Sequence, residues 1–155
     1  MPSRYHPGNI LIRSYDPPEA LLSDVGCASD QTEILYDWPG TIPYLAPEQW
    51  EGLLHGPAVD YWACGLVDYE LLTREVTQSR VDPGPVLECY HEALEKRGSV
   101  IAECCMNMLN TEPATRMTAR EAAKMLFLQF AVEKQREEEA LDDMSMLNSK
   151  RTKIR

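Results

Sequence analysis

Three kinds of side chain in this sequence are candidates for chemistry: a turn carrying an imidazole and an amide, five thiols, and acids set inside apolar sequence. The turn is His6-Pro7-Gly8-Asn9, followed by a short apolar run and then by a second polar turn, Asp24-Val25-Gly26. Read alone, Asn9 is a turn residue, Asp24 a strand-end cap and His6 a solvated side chain. The thiols are Cys27, Cys64, Cys89, Cys104 and Cys105, an odd number with no CxxC pair and no partnering His spacing. Neither a disulfide framework nor a zinc site follows from that pattern, and reduced thiols of a cytosolic or nuclear protein fit it best. The acids Asp60, Asp68 and Glu70 interrupt Ala58–Thr73, a stretch that is otherwise apolar on nearly every turn. A helix apolar nearly all round belongs in the middle of a domain, and an Asp in its first turn is placed to cap backbone groups there or in another segment.

The elements that must position these groups read as follows. Ile10-Leu11-Ile12 and Ala20-Leu21-Leu22-Ser23, separated by the turn Tyr15-Asp16-Pro17-Pro18, predict a small antiparallel pair. Residues 27–41 carry no sustained period and read as a long loop. Ala46-Pro47-Glu48 opens a short helix, with Pro47 where its missing N–H costs nothing and Glu48 in the favourable first turn. Beyond the central helix, Val86–Lys96 has helical spacing. Val100–Leu109 does too, with Ile101, Cys104, Cys105, Met108 and Leu109 on one face. Thr118 through Glu121 resembles a capping box opening a helix through Phe130. From Glu133 on, a block of acids followed by Lys150, Arg151, Lys153 and Arg155 predicts a solvated helical extension fraying into disorder. There are no internal repeats.

The 155 residues fit one ordinary domain, with 44% hydrophobic residues sufficient for a core. A formal charge of −10 argues against nucleic-acid or anionic-membrane partners. The N-terminus lacks a signal-peptide core, and no apolar run reaches membrane-spanning length.

Taken in order, Asn9-Ile10-Leu11, Asp24-Val25-Gly26, Gly40-Thr41 through Ala46-Pro47-Glu48, Asp60-Tyr61-Trp62 with Gly65, and Glu112-Pro113 followed by Arg116 resemble the C-terminal lobe of a eukaryotic serine/threonine protein kinase. The resemblance implies a mainly α fold, with helices around a buried central helix and a small β-hairpin near the N-terminus. It implies a partial kinase domain over residues 1–131 and a charged tail over 132–155. By resemblance, Asn9 and Asp24 are the ligands of Mg²⁺ carrying ATP, hard oxygen donors suited to a hard cation. Val25 replaces the usual Phe and should leave Asp24 able to bind metal. Glu48 is expected to pair with Arg116, and Asp60 to hold the loop around Arg4–Asn9. Trp62, Gly65, Gly26, Thr41, Ala46 and Pro47 complete the structural anchors. The Gly40–Tyr44 wording is of the serine/threonine type. Ser29, Thr32, Tyr36 and Thr41 fall in the activation-segment region, and no neighbouring pattern singles one out for phosphorylation.

Two departures limit the activity the resemblance implies. The family's catalytic Asp and the Lys two residues after it are matched here by Arg4 and His6, and an arginine cannot accept a proton at any accessible pH. The chain also starts immediately before the catalytic loop, so a truncated domain without its N-terminal lobe is expected, its ATP binding doubtful and its activity in isolation absent. His6-Pro7-Gly8-Asn9 occurs as well in antibiotic and choline phosphotransferase-like kinases, which lack the Ala46-Pro47-Glu48 and central-helix pattern. The alternative to an enzyme lineage is a pseudokinase-like, non-catalytic module that binds protein partners. Protein substrates or partners, and a cytoplasmic or nuclear location, complete the expectations.

Overall fold

In the computed structural model of the chain, residues 6–24, 41–74 and 99–152 are described. The expected helix Val86–Lys96, most of the long loop, and Arg4, Gly26, Cys27 and Cys89 lie outside them. The chain divides into two compact units, Met1–Ala119 and Arg120–Arg155.

The first unit begins with a 3₁₀ turn over Pro7–Asn9, where proline fixes the first φ. The chain then enters β1 (Ile10–Tyr15), which pairs antiparallel with β2 (Pro18–Leu22) in a two-stranded sheet. Ile10 lies opposite Leu22, Leu11 opposite Leu21 and Ile12 opposite Ala20; an irregularity between Ile12 and Ser14 then shifts the register, so that Ser14 faces Glu19 and Tyr15 faces Pro18. The extra residue, Arg13, forms an exposed ion pair with Glu19 at 3.6 Å, which contributes little in water. Pro18 sits at the first position of a strand, where its missing N–H removes no interior ladder bond.

A second 3₁₀ turn, Ile42–Tyr44, leads into the four-residue helix α1 (Pro47–Trp50). The side-chain oxygen of Gln49 accepts the Ala46 N–H at 3.0 Å and closes the entry to α1. The central helix α2 (Ala58–Thr73) follows Pro57 and ends at Arg74, whose φ of 61° is left-handed and whose N–H bonds the Glu70 carbonyl. Val59, Trp62, Ala63, Leu66, Val67 and Tyr69 are all buried, as an all-round apolar helix requires. They form one core with Tyr44, Ala46, Ala102, Cys105 and Leu109.

Helix α3 (Val100–Met108) starts at Ser99, whose hydroxyl accepts the Ala102 N–H at 3.1 Å. Its contact with α2 is close because position 65 has no side chain. A Cβ there would lie 3.0 Å from Met108 Cβ and 3.1 Å from Leu109 Cγ and Cδ2. The Cys105 thiol donates to the Gly65 carbonyl at 3.0 Å across the same contact. Gly65→Ala is therefore expected to destabilise the fold by about 1–3 kcal/mol despite alanine's better helix propensity, because Met108 Cβ moves only with the α3 backbone. Denaturant unfolding of the two proteins measures it; equal midpoints would show that the helices separate at little cost.

The buried face of α3 differs from the expected one at Ile101, which is 40% exposed while Ala102 is buried. The interface centres on Cys105, Met108 and Leu109 beside Gly65, and Ile101 stands at its margin in the first turn of the helix.

The second unit is made of α4 (Ala119–Thr152). The helix expected through Phe130 and the helical extension expected from Glu133 form one helix without a break. Pairs four residues apart sustain it: Gln129 donates to Glu133, Gln135 to Glu139 at 2.9 Å, and Lys134 approaches Glu138 at 3.9 Å. Each such pair adds a few tenths of a kcal/mol to a helix.

Candidate functional site

The hairpin brings the backbone of its first turn, at Asn9, to that of its far end, at Ser23. The Asn9 N–H bonds the His6 carbonyl at 2.9 Å, which closes the 3₁₀ turn. The Asn9 carbonyl then accepts two bonds from Ser23, one from its N–H at 2.8 Å and one from its hydroxyl at 3.1 Å. Asp24, the residue after Ser23, is thereby held next to the Asn9 end of the hairpin. It is exposed and has a left-handed φ of 54°, a conformation Asp tolerates better than most residues.

An amide and a carboxylate on adjoining backbone are both oxygen donors. Among the described residues no group of three or more His, Cys, Asp and Glu side chains is placed to hold a metal. A site with one carboxylate and one amide suits a cation that keeps waters and takes further oxygens from a phosphate ligand, the habit of Mg²⁺. It does not suit zinc, which takes nitrogen and sulfur ligands.

His6 packs its ring against Tyr44, centroids 5.9 Å apart and planes tilted by 35°. Gly8 permits this, since a Cβ there would lie 3.0 Å from His6 Cε1. The Tyr44 hydroxyl in turn reaches both carboxylate oxygens of Glu70 on α2, at 3.0 and 3.1 Å. Tyr44 therefore joins the turn before Asn9 to the central helix. Sequence reading passed over this pair, treating Glu70 only as an interruption of apolar sequence. The available signal was that an acid on a largely buried helix needs a donor.

Glu48 and Arg116 meet in a buried, two-pronged ion pair: Nη1 to Oε1 at 2.7 Å and Nη2 to Oε2 at 2.9 Å. Nη1 also donates to the Ala58 carbonyl at 2.8 Å, Nε to the Asn110 carbonyl at 2.8 Å, and Nη2 to the Thr111 carbonyl at 3.5 Å. All five guanidinium N–H groups thus have acceptors. The guanidinium carbon lies 5.2 Å from the ring centroid of Trp62, which is fully buried. One arginine binds α1, the start of α2, the segment after α3 and the largest core side chain.

Asp60 is half-buried in the first turn of α2, and of the loop it is expected to hold only the part from His6 on lies among the described residues. The Thr41 carbonyl accepts the Tyr44 N–H at 2.8 Å, and Ala46 and Pro47 form the entry to α1. The thiols of the α2–α3 contact are unreactive in kind. Burial, then Asp68 and Asp60, push the Cys64 thiol up to about 12, and burial raises Cys105 and Cys104 as well. Thiols held protonated are poor nucleophiles, and Cys104 and Cys105 are buried besides, while Cys64 is half-buried. The Asp68 carboxyl is pushed up to about 6 by burial. No helix among the described residues is long and apolar enough to cross a membrane.

The sequence pattern of the protein kinase domain matches residues 6–128, which takes in the hairpin, the Glu48–Arg116 pair and the whole of α2 and α3. The chain belongs to the protein kinase domain family. It is 31% identical over 139 residues to the calcium/calmodulin-dependent protein kinase type I of Schizosaccharomyces pombe, covering 79% of this chain and 40% of that protein. Against the calcium/calmodulin-dependent protein kinase cmkA of Emericella nidulans it is 32% identical over 130 residues, 76% of this chain and 31% of the relative. A third similar protein is the "Probable serine/threonine-protein kinase nek2" of Dictyostelium discoideum, 29% identical over 144 residues, with 84% of this chain and 32% of the relative covered. The chain thus spans less than half the length of these kinases, and the kinase lineage it shares with them is of the serine/threonine kind.

Proposed function

We propose that this chain is the C-terminal-lobe portion of a serine/threonine protein kinase domain, an ATP:protein phosphotransferase by lineage that does not transfer phosphate as this polypeptide alone. The observation that supports the reading is the Asn9–Ser23 stitch, which ties the Asn9 backbone to the residue that precedes Asp24 at the end of the hairpin. Asn9 and Asp24 would hold Mg²⁺, and the ion when bound neutralises the charge of the ATP phosphates. The chain's own residues do the positioning. Ser23 fixes the Asn9 backbone, Tyr44 fixes His6 and is itself tied to α2, and Asp60 serves as the anchor of the loop ending at Asn9. Glu48 with Arg116, and Trp62 with Gly65, hold the helices on which that loop rests. Residues 1–131 make up the kinase-derived part and residues 132–155 a charged extension. The partners are proteins, and the location is the cytoplasm or nucleus.

Inactivity rests on Arg4 at the position of the family's base, since a guanidinium keeps its proton throughout the accessible pH range. The same residue favours the second reading, a non-catalytic pseudokinase-like module that binds protein partners. One experiment tests both. The chain incubated with Mg-ATP and a serine/threonine peptide is expected to incorporate no phosphate, and Mg-ATP is expected to leave its Tm essentially unchanged. ATP-dependent phosphorylation that disappears in Asp24→Ala would overturn the inactivity and rule out the second reading. A clear rise in Tm with Mg-ATP, lost in the same variant, would show that nucleotide binding survives without transfer.

A further inference from the structure

Helix α4 carries exposed large apolar side chains along one stripe: Phe127 is 73% exposed, Phe130 60%, Leu141 67% and Met144 62%. Between them on the same stripe stand Lys134 and Glu137. The six positions 127, 130, 134, 137, 141 and 144 follow one another at intervals of three, four, three, four and three, the seam spacing of a two-helix coiled coil. That spacing is symmetric about a point between residues 135 and 136. The residue types are complementary across that point: each apolar position reflects onto an apolar one, and the base Lys134 onto the acid Glu137.

We propose that this stripe is a two-fold interface between two copies of the chain, with the two α4 helices antiparallel and crossing at residues 135 and 136. In that arrangement Phe127 lies opposite the partner's Met144, Phe130 opposite the partner's Leu141, and Lys134 opposite the partner's Glu137. Each apolar residue meets an apolar one. The two charges that interrupt the stripe neutralise each other, twice. A two-fold axis makes the surface self-complementary, as an isologous dimer requires. A parallel pair would set Lys134 against Lys134 and Glu137 against Glu137, and charge selects against it. The contact Lys134 makes along its own helix, to Glu138 at 3.9 Å, joins two largely exposed side chains and competes weakly. The seam covers about 26 Å of helix at 1.5 Å per residue, so the association is expected to be reversible and concentration-dependent.

Sedimentation equilibrium of the full chain tests this, with circular dichroism to confirm that every variant keeps its helix. The wild-type mass is expected to climb with concentration toward twice the 17.6 kDa of one chain. Leu141→Glu is expected to remain monomeric, as is Lys134→Glu, which sets acid against acid. The double exchange Lys134→Glu with Glu137→Lys is expected to restore the dimer, because it exchanges the partners of the same two ion pairs. A wild type that stays monomeric at every concentration overturns the proposal, and that includes the case of α4 folding back on its own chain. A dimer untouched by Leu141→Glu, or a double exchange that fails to rescue, overturns it too.

Discussion

Arg116→Leu is expected to lower the stability of the fold by about 3–5 kcal/mol, the usual cost of removing one partner from a buried ion pair. For a chain of this size such a loss corresponds to a fall in Tm on the order of 10 °C. The guanidinium side chain is fully buried and that of Glu48 nearly so, at 0% and 7% exposure. Taking away the cation leaves a carboxylate in a place water does not reach. It also strips donors from the carbonyls of Ala58, Asn110 and Thr111 at once. The companion change Glu48→Gln should cost less, because glutamine retains an oxygen that accepts from Arg116. The double variant Glu48→Leu with Arg116→Leu should recover part of the loss, since a pair of apolar residues leaves no charge uncompensated. Thermal and denaturant unfolding of the four proteins give the cycle. If Arg116→Leu unfolds at the wild-type midpoint, the pair is not what holds α1 to α2.

Asp68→Asn is expected to act in the opposite direction, stabilising the protein near pH 7.5 by about 2–3 kcal/mol, the equivalent of its two-unit displacement. Asp68 is on the α2 face turned toward the thiols of Cys64, Cys104 and Cys105, which feel its charge. Among the described residues it has no hydrogen-bond or ion-pair partner. Its carboxyl moves from 3.8 up to about 6 because burial disfavours the anion. A raised acid binds its proton more tightly in the folded state than in the unfolded one. Its contribution is therefore greatest below about pH 4 and is lost as pH rises through about 6. Wild-type stability should carry this downward slope between pH 4 and 7, superimposed on whatever the other acids add, and the Asn variant should lack it. Parallel pH–stability curves for the two proteins would show that Asp68 is solvated.

Much of the fold was legible because it follows from local rules. The hairpin could be read from two apolar runs around a proline turn, α1 from Pro47 and Glu48, and α2 from an apolar stretch too continuous for a surface. Ile101 was misplaced because periodicity gives the direction of a face but not its centre, which here is fixed by the missing side chain of Gly65. The helical extension from Glu133 was legible, but not that it joins the helix through Phe130 without a break; glutamines and a lysine spaced four residues from acids add support along the junction and beyond it. In the candidate site, the order of motifs named Asn9, Asp24, Glu48 and Arg116. What the sequence did not reveal was the means of support: the second hydrogen bond that the Ser23 hydroxyl donates to the Asn9 carbonyl, and the Tyr44 bridge to Glu70. Asn9 and Ser23 are the next pair beyond Ile10 and Leu22 in the hairpin, so only the hydroxyl bond was hidden there, whereas Tyr44 and Glu70 are joined through groups that no spacing rule relates.

The reach of Arg116 also bears on how the chain assembles as it is made. Glu48 and Arg116 are 68 positions apart, so at ordinary synthesis rates of 5–20 residues per second roughly 3–14 s separate the appearance of the acid from that of its counter-ion. Once Thr73 has been added, α1 and α2 are complete in sequence, yet closing them before Arg116 is made would bury a lone carboxylate. Until Arg116 is present, a closed α1–α2 pair carries the cost of an uncompensated buried charge, so the last residue of the contact to be made is the one that makes the contact favourable.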